Sequence, residues 1–291
     1  MVKSAVRRLG VHTSIAGGLH LSLERAKELG CNTLQIFSHN PRGWALSARG
    51  PDEVVLFSSL TERYSIAPVF IHTSYLINLA STRRELLRKS IDMVVAELNI
   101  ADSIGAGYVV LHTGSASGDD PKTARRRASA SLREVSQRGK WRAGLLLENT
   151  AGEKGDITSR VEEISDILAD VPAGLIAGIC LDTCHAFAAG YDLSAGRGID
   201  ALADDTRKYI GRERVKLLHL NDSKGGVSSG IDRHEHIGKG KIGLKGIKSL
   251  LHHPFYSDVP LILETPKKSM EDDIMNLGVV RRLLRTVTTG S

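Results

Sequence analysis

The sequence is poor in cysteine, in aromatic residues and in long apolar stretches, and these shortages exclude several classes of protein. The 291 residues include only three cysteines. An odd number without a second spaced pair argues against a disulfide framework and favours a reducing compartment. No run of about 18 apolar residues occurs, and the basic start lacks a following apolar segment. We therefore expect a cytoplasmic protein that is neither exported nor membrane-spanning.

The remaining composition is that of an ordinary globular protein. Hydrophobic residues make up 41% of the chain and charged residues 25%, with 4% aromatic residues. The formal net charge of +6 favours an anionic partner such as nucleic acid, although solubility alone explains such a charge about as well. The basic run at 125–127 falls in a helical segment, and we interpret it as solvated helix surface.

Short runs rich in leucine and β-branched residues alternate with longer segments of helical periodicity, a pattern typical of βαβ units around a parallel sheet. The clearest helix is expected at 83–104, where apolar residues form one stripe. Other helices are expected after Leu19, Asp52, Pro121, Ser159, Ile199, Leu244 and Met270. Strands are expected at 9–14, 33–38, 69–73, 108–113, 144–149, 177–182, 215–221 and 261–265.

Eight strands, each followed by a helix, make up a closed (β/α)8 barrel. No linker or change in composition divides the chain, so we predict a single (β/α)8 TIM barrel domain over residues 1–291. The main alternative is an open doubly wound sheet, which normally has a Gly-x-Gly-x-x-Gly turn after its first strand. The turn at 15–19 reads Ile-Ala-Gly-Gly-Leu and does not fit that motif.

Most of the predicted strands end in an acid or an imidazole directly after apolar residues. In a barrel the carboxyl ends of the strands converge on one face, so these side chains can meet in one pocket. A loop pair, Asp232 and His234, would point in one direction if its backbone is extended. The candidate metal ligands are His72, His112, Glu148, Asp182, His185, His219, Asp232, His234 and Glu264.

Nine such ligands exceed what one tetrahedral zinc can use, although a single strand-end histidine usually only bonds a neighbour. The mixture of imidazole and carboxylate indicates two or three cations such as Zn²⁺ or Mn²⁺. A cluster of this kind activates water and neutralises charge on a phosphoryl group. We interpret Cys180 and Cys184 as packing residues, and we assign no metal to His12, which could contact a ligand, a phosphate or a core neighbour.

Several segments together carry a resemblance to a known family. The sequence resembles endonuclease IV, the zinc-dependent apurinic/apyrimidinic endonucleases of base-excision repair, over nearly its whole length. The segments are LDTCHAFAAGYD at 181–192, HTSYLINL at 72–79, LENTAG at 147–152, HLND at 219–222, PLILET at 260–265 and the stretch 227–243.

The resemblance implies a (β/α)8 barrel with three zinc ions per chain. It implies hydrolysis of the phosphodiester 5′ to abasic sites in duplex DNA, leaving a 3′-hydroxyl and a 5′-deoxyribose phosphate, and trimming of blocked 3′ ends. Glu148 and Glu264 would be the catalytic carboxylates, and nothing in the sequence demands a partner subunit, so we expect a monomer. The implied zinc sets are His72, His112 and Glu148; Glu148, Asp182, His219 and Glu264; and His185, Asp232 and His234.

The resemblance also implies residues that contact double-stranded DNA from loops at the carboxyl ends of the strands. Arg42, in the loop 40–44, is expected to enter the duplex, together with Tyr75 and Leu76. Trp44 could belong to this surface or pack beneath it. Between Asp182 and His185 we expect an extended turn that directs the two side chains at different ions.

Two other functions remain open at this stage. A sugar isomerase or epimerase shares the metal-bearing barrel, but its one or two metals are usually held mostly by carboxylates. A non-catalytic, zinc-stabilised DNA-binding protein is the other alternative, but structural zinc sites are usually rich in thiolate.

Overall fold

The computed structural model describes residues 7–46 and 49–285. The strands are β1 (Leu9–Val11), β2 (Leu34–Phe37), β3 (Val69–His72), β4 (Tyr108–Leu111), β5 (Gly144–Glu148), β6 (Ile176–Asp182), β7 (Val215–His219), β8 (Asp222–Ser223), β9 (His234–Glu235) and β10 (Leu261–Leu263). The helices are α1 (Leu19–Glu28), α2 (Pro51–Tyr64), α3 (Arg84–Ile104), α4 (Pro121–Arg138), α5 (Val161–Asp170), α6 (Thr183–Ala188), α7 (Gly196–Tyr209), α8 (Gly243–His252) and α9 (Met270–Arg285).

Eight of the strands pair in parallel in the order β1-β10-β7-β6-β5-β4-β3-β2. A bridge between His12 and Gln35 joins the two outer strands, where the amide of Thr13 donates to the carbonyl of Gln35 at 2.8 Å. The chain thus forms a (β/α)8 TIM barrel, as the sequence predicted. The small strands β8 and β9 form a separate antiparallel pair on the loop after β7.

The interior of the barrel contains a buried layer with one side chain from each of six strands. Successive side chains of a strand point to opposite faces, so residues two apart point in the same direction. Each member of this layer lies two positions before a candidate ligand, which places the ligands one layer higher, at the mouth of the barrel. The layer consists of Phe70, Val110, Leu146, Cys180, Leu217 and Ile262.

The helices cover the outside of the barrel through apolar stripes, and α3 is the longest of them. Ile91, Val94 and Leu98 lie on its buried face, at the spacing expected for one side of a helix. Gly105 ends α3 with a φ of 71°, a left-handed conformation that glycine adopts without steric cost. Of the described helices, none is long and apolar enough to cross a membrane.

The segment after β6 is helical, so the extended turn expected between Asp182 and His185 is wrong. Helix α6 begins at Thr183, and the carboxylate of Asp182 accepts a hydrogen bond from the backbone amide of His185 at 2.9 Å. An acid at this position caps the first turn of a helix and satisfies an amide that has no partner within the helix. The cap, rather than an extended chain, fixes the spacing of the two side chains.

Candidate metal centre

The predicted ligands lie together at the carboxyl end of the barrel strands. Six of them, His72, His112, His185, Asp232, His234 and Glu264, line a cavity of about 920 Å³, and Tyr75, Asn40 and Pro41 also line it. The distances between their donor atoms show which of these side chains could share an ion.

Glu148 lies fully buried at the centre of the cluster, at the end of β5. Its Oε2 atom lies 3.2 Å from the Nε2 atom of His72 and 3.0 Å from the Nε2 atom of His112. Its Oε1 atom lies 2.8 Å from the Nδ1 atom of His219. The two carboxylate oxygens therefore face two different groups of ligands, as a bridging carboxylate requires.

The second group surrounds the Nδ1 atom of His219. This atom lies 3.2 Å from Glu264 Oε2 and 3.9 Å from Asp182 Oδ2. The ligand atoms of Glu148, Asp182, His219 and Glu264 all lie within 4.8 Å of one another, close enough for one ion to reach all four.

The third group lies where the loop after β7 returns over α6. The Nε2 atoms of His185 and His234 lie 3.2 Å and 3.6 Å from Asp232 Oδ1. Both Nε2 atoms are buried and have no hydrogen-bond partner among the described residues. Buried nitrogen atoms are seldom left without a partner, so their convergence on one carboxylate favours a cation between them.

The two cysteines near the cluster are poor competitors for a metal. Cys180 lies close to Glu148 and His219, and Cys184 lies close to Asp182 and His234, so geometry alone would admit either thiol. Both thiols are buried, and burial raises the pKa of each to about 12. Carboxylates and imidazoles fill each candidate set without either thiol, and the interpretation of the cysteines as packing residues agrees with their burial.

The charges of the cluster balance through pairs of acid and imidazole. Burial by itself would raise the pKa of Glu148, but His219 and His112 outweigh it and hold that pKa well below the usual range. Burial likewise opposes ionisation of Asp232, but the close approach of His185 lowers its pKa to about 2. These neighbours therefore favour the ionised form of both carboxylates, which is the form that binds a metal.

Two side-chain amides and one imidazole form hydrogen bonds to the candidate ligands. The imidazole, His12, was identified from the sequence, whereas the amides of Gln35 and Asn221 were not. Gln35 donates from Nε2 to Glu264 Oε1 at 2.6 Å, and its Oε1 lies 2.8 Å from His219 Nε2. Asn221 donates to Asp182 Oδ2 at 2.6 Å. His12 Nδ1 lies 3.2 Å from Glu264 Oε1, so of its three possible roles the structure shows contact with a candidate ligand.

Asp222 fixes the loop that carries Asp232 and His234. Its carboxylate is fully buried and accepts hydrogen bonds from the backbone amides of Ser223, Gly238, Gly240, Ile242 and Gly243, at 2.8 to 3.3 Å. One acid thereby closes both ends of a long loop around the third ligand group.

The three residues expected to contact DNA lie on two adjacent loops beside the cavity. Arg42 is exposed, Tyr75 is 64% exposed and Leu76 is half-buried. The carbonyl of Pro41 accepts from the amide of Tyr75 at 3.2 Å, which joins the two loops. Trp44 packs against the hydrophobic core and is only partly buried, so the packing interpretation applies at least to one side of its ring.

The basic run on α4 lies on the outside of the barrel, but it is less solvated than expected. Arg125 pairs with Glu163 at 3.1 Å and with Asp166 at 3.2 Å. Arg127 pairs with Asp119 at 2.5 Å. These arginines fasten α4 to its neighbours, away from the cavity.

The chain is similar in sequence and in structure to known proteins. The profile described as a xylose isomerase-like TIM barrel matches residues 23–284. The chain is 43% identical to a probable endonuclease 4 of Halothermothrix orenii over 276 residues, which cover 94% of this chain and 99% of that protein. It is also similar to the crystal structure of endonuclease IV from Thermus thermophilus, with 40% identity, a TM-score of 0.84 and coverage of 95% and 98% of the two chains.

A more distant similarity extends to sugar-converting enzymes. A D-tagatose 3-epimerase-like protein is 18% identical with a TM-score of 0.71, and the match covers 96% of this chain and 98% of that one. At that identity the likeness shows the shared barrel alone. The high identity over nearly the full length of the endonucleases decides between the two groups, and the chain belongs to the endonuclease IV family.

Proposed function

We propose that this protein is a zinc-dependent DNA repair endonuclease that hydrolyses the phosphodiester 5′ to abasic sites in duplex DNA. It would leave a 3′-hydroxyl and a 5′-deoxyribose phosphate and would also trim blocked 3′ ends. The observation that carries the proposal is the convergence of nine candidate ligands into three adjoining sets at the mouth of the barrel. Membership of the endonuclease IV family supports the same reaction.

The ligand types fit zinc. Imidazole and carboxylate are common zinc ligands, and each set offers three or four of them. When bound, zinc ions would lower the pKa of water and neutralise negative charge on a phosphoryl group. The three ions would be held by His72, His112 and Glu148; by Glu148, Asp182, His219 and Glu264; and by His185, Asp232 and His234.

Two carboxylates would have catalytic roles through their position. Glu148 faces the first set with one oxygen and the second set with the other, so its orientation fixes the spacing between them. Glu264 is held by Gln35 and His12 through Oε1, which leaves Oε2 directed at His219. Both carboxylates would orient the attacking water within the cavity.

The loops would supply access to the scissile bond. A phosphate next to an abasic sugar becomes reachable only when that sugar leaves the base stack, and unpairing is cheapest where a base is already missing. The ring of Tyr75 and the aliphatic side chain of Leu76 suit a vacated base position, and Arg42 is an exposed cation on the adjacent loop.

The direct test measures metal content and incision on the same preparation. We expect about three zinc ions per chain. We also expect a single nick 5′ to the lesion in an abasic duplex and no cleavage of the matched intact duplex. Zinc-loaded protein that leaves the abasic duplex uncut would contradict the proposal. Turnover of a ketose with Mn²⁺ or Mg²⁺ would instead favour a sugar isomerase.

A further inference from the structure

Glu97 is an acid in the middle of α3, on the outer layer of the barrel, and it is fully buried. Buried carboxyl groups are rare unless they are paired, because removing them from water costs free energy. Within residues 7–46 and 49–285, its one ion-pair contact is His39, whose Nδ1 atom lies 3.4 Å from Glu97 Oε1. The presence of a carboxyl group at this buried position is therefore not explained by stability.

Within the part of the chain that the structure describes, the side-chain hydrogen bonds and the ion pair of Glu97 go to the two loops that carry the proposed DNA-contact residues. Its Oε1 atom accepts from the backbone amide of Ser74 at 3.2 Å and from the hydroxyl of Ser38 at 3.3 Å. Ser74 directly precedes Tyr75, and Ser38 lies four residues before Arg42. One carboxyl oxygen thus joins the bases of both loops.

The same loops are joined again nearer to the surface. The carbonyl of Pro41 accepts from the hydroxyl of Ser74 at 2.8 Å and from the amide of Tyr75 at 3.2 Å. Above this pair of contacts lie Arg42 and the ring of Tyr75. The segments 38–42 and 74–76, which we call the wedge, are therefore connected at two levels, with Glu97 at the lower one.

The electrostatic environment of Glu97 suits a fixed hydrogen-bond acceptor rather than an ion. Burial raises the pKa of Glu97 to about 8, against opposing effects of His72 and of the bonds from Ser74 and Ser38. Burial also lowers the pKa of His39, so both partners favour their neutral forms. Glutamine, which keeps the carbonyl acceptor without the charge, is for this reason a close substitute.

We propose that Glu97 is a positioning residue for recognition of abasic DNA, which holds the two loops of the wedge in one rigid arrangement. The inference rests on the proposed function, since it assigns the wedge to the duplex. It makes no use of the metal centre, and its consequences can be separated from the chemistry there. A rigid wedge lowers the ordering cost of inserting two loops into the base stack.

The test compares two substrates that differ in their need for the wedge. An abasic duplex requires insertion, whereas bis(p-nitrophenyl) phosphate presents a bare phosphodiester to the same cavity. In Glu97→Leu we expect the Kd for the abasic duplex to rise about tenfold or more, while turnover of the small diester stays within about twofold. Glu97→Gln should restore duplex binding to within about threefold of the wild type, because it keeps the acceptor.

Controls separate positioning from a general loss of structure. Asp92→Asn alters an exposed acid on the same helix, on the side that pairs with Arg138 of α4, and should leave both substrates unaffected. Zinc content should be equal in all variants. In a Trp141→Phe background, Trp44 is the remaining tryptophan and reports on the 40–44 loop, so Glu97→Leu should change its emission while Glu97→Gln should not.

Each outcome bears on the inference. Equal losses on the duplex and the small diester, or failure of Glu97→Gln to restore binding, would overturn the positioning role. Unchanged duplex affinity in a folded Glu97→Leu protein would overturn it as well. If the wild-type protein turns over the small diester but does not incise the abasic duplex, the proposed function itself fails, and that result is distinct from the three outcomes above.

Discussion

The carboxamide of Gln35 lies between two candidate ligands, with its Nε2 atom 2.6 Å from Glu264 Oε1 and its Oε1 atom 2.8 Å from His219 Nε2. The amide oxygen can only accept, so His219 donates from Nε2, and its Nδ1 atom faces the carboxylates of Glu148 and Glu264. A neutral amide on β2 thereby orients an imidazole on β7. Contacts of this kind tune metal sites as strongly as the ligands themselves.

Replacing Gln35 by alanine should therefore weaken zinc binding without removing a ligand. We expect a loss of about 10- to 100-fold in affinity for the set that contains His219 and Glu264. Competition with a chromogenic chelator measures this affinity directly. Gln137→Ala, at an exposed position on α4, is the matched control and should bind zinc like the wild type. Equal zinc affinity in both variants would remove Gln35 from the metal centre.

Glu264→Gln should keep the fold and nearly abolish incision of an abasic duplex. The amide retains the volume of the side chain but loses the negative charge that faces His219. The second ligand set should therefore bind metal more weakly, and the attacking water should be oriented less well. The measurement is the single-turnover rate of incision beside a thermal unfolding curve. Glu271→Gln, an exposed acid on α9, controls for the loss of charge. Full activity in Glu264→Gln would exclude this carboxylate from the mechanism.

Asp222→Asn should loosen the loop between β8 and α8. The new amide group would meet some of the five backbone amides that now donate to the carboxylate, and each lost bond leaves a buried donor without a partner. We expect the free energy of unfolding to fall by about 1–3 kcal/mol or more. Trypsin should also cut sooner after Arg233 and Lys241. The exposed Asp170→Asn variant should show neither effect. If trypsin cuts the loop of Asp222→Asn no faster than that of the wild type, Asp222 does not anchor the loop.

Tyr75→Ala should weaken binding of an abasic duplex much more than binding of an intact one. Stacking of a base on an aromatic ring is worth about 1–3 kcal/mol, which corresponds to about a 5- to 150-fold loss. Fluorescence anisotropy with labelled duplexes measures both affinities. Tyr75→Phe keeps the ring and should retain most of the preference. If Tyr75→Ala keeps the wild-type preference for abasic over intact duplex, Tyr75 does not contribute to recognition of the abasic site.

The raised pKa of Glu97 predicts a pH dependence of stability. In the unfolded chain the carboxyl ionises near about pH 4.3, whereas in the folded protein its pKa is about 8. Between these values the folded state binds more protons, so this group lowers stability as pH rises from about 4.5 to about 8, by at most about 1.4 kcal/mol per pH unit. Glu97→Gln lacks this effect, and its stability relative to the wild type should increase over that range.

Urea unfolding of chelator-treated protein at several pH values checks this prediction, because metal occupancy is then constant. Because His39 contacts Glu97, the same comparison in a His39→Asn background separates its contribution. A difference that stays flat between about pH 5 and about pH 8 would show that Glu97 ionises normally in the folded protein.

The barrel and the six candidate ligands at its strand ends could be predicted because both depend on the local order of residues. Each ligand at a strand end follows an apolar residue two positions earlier, as in Phe70 and His72 or Ile262 and Glu264, and alternation along a strand then directs both into the barrel. The strand-helix alternation places all these ends on one face. Periodicity within a few residues was sufficient to predict the barrel and the candidate ligands at its strand ends.

The supporting contacts could not be predicted, because they join residues that are far apart in sequence. Gln35 and His219 are separated by 184 positions, and their hydrogen bond depends on the register of two strands that do not pair. No local sequence pattern around Asp222 predicted that its carboxylate would accept hydrogen bonds from backbone amides up to 21 positions away. The helical start after Asp182 was missed because the acid was interpreted only as a ligand, whereas it also caps α6.

The pairing of β1 with β10 has a consequence for the order in which the protein matures. Leu9 pairs with Leu261, so β1 must wait for β10, the last of the eight barrel strands to be synthesised, before the barrel can close. Glu264 immediately follows β10 and is the last of the nine candidate ligands to be synthesised. The growing chain can therefore bring together eight candidate ligands and still lack a complete second set until β10 has been made.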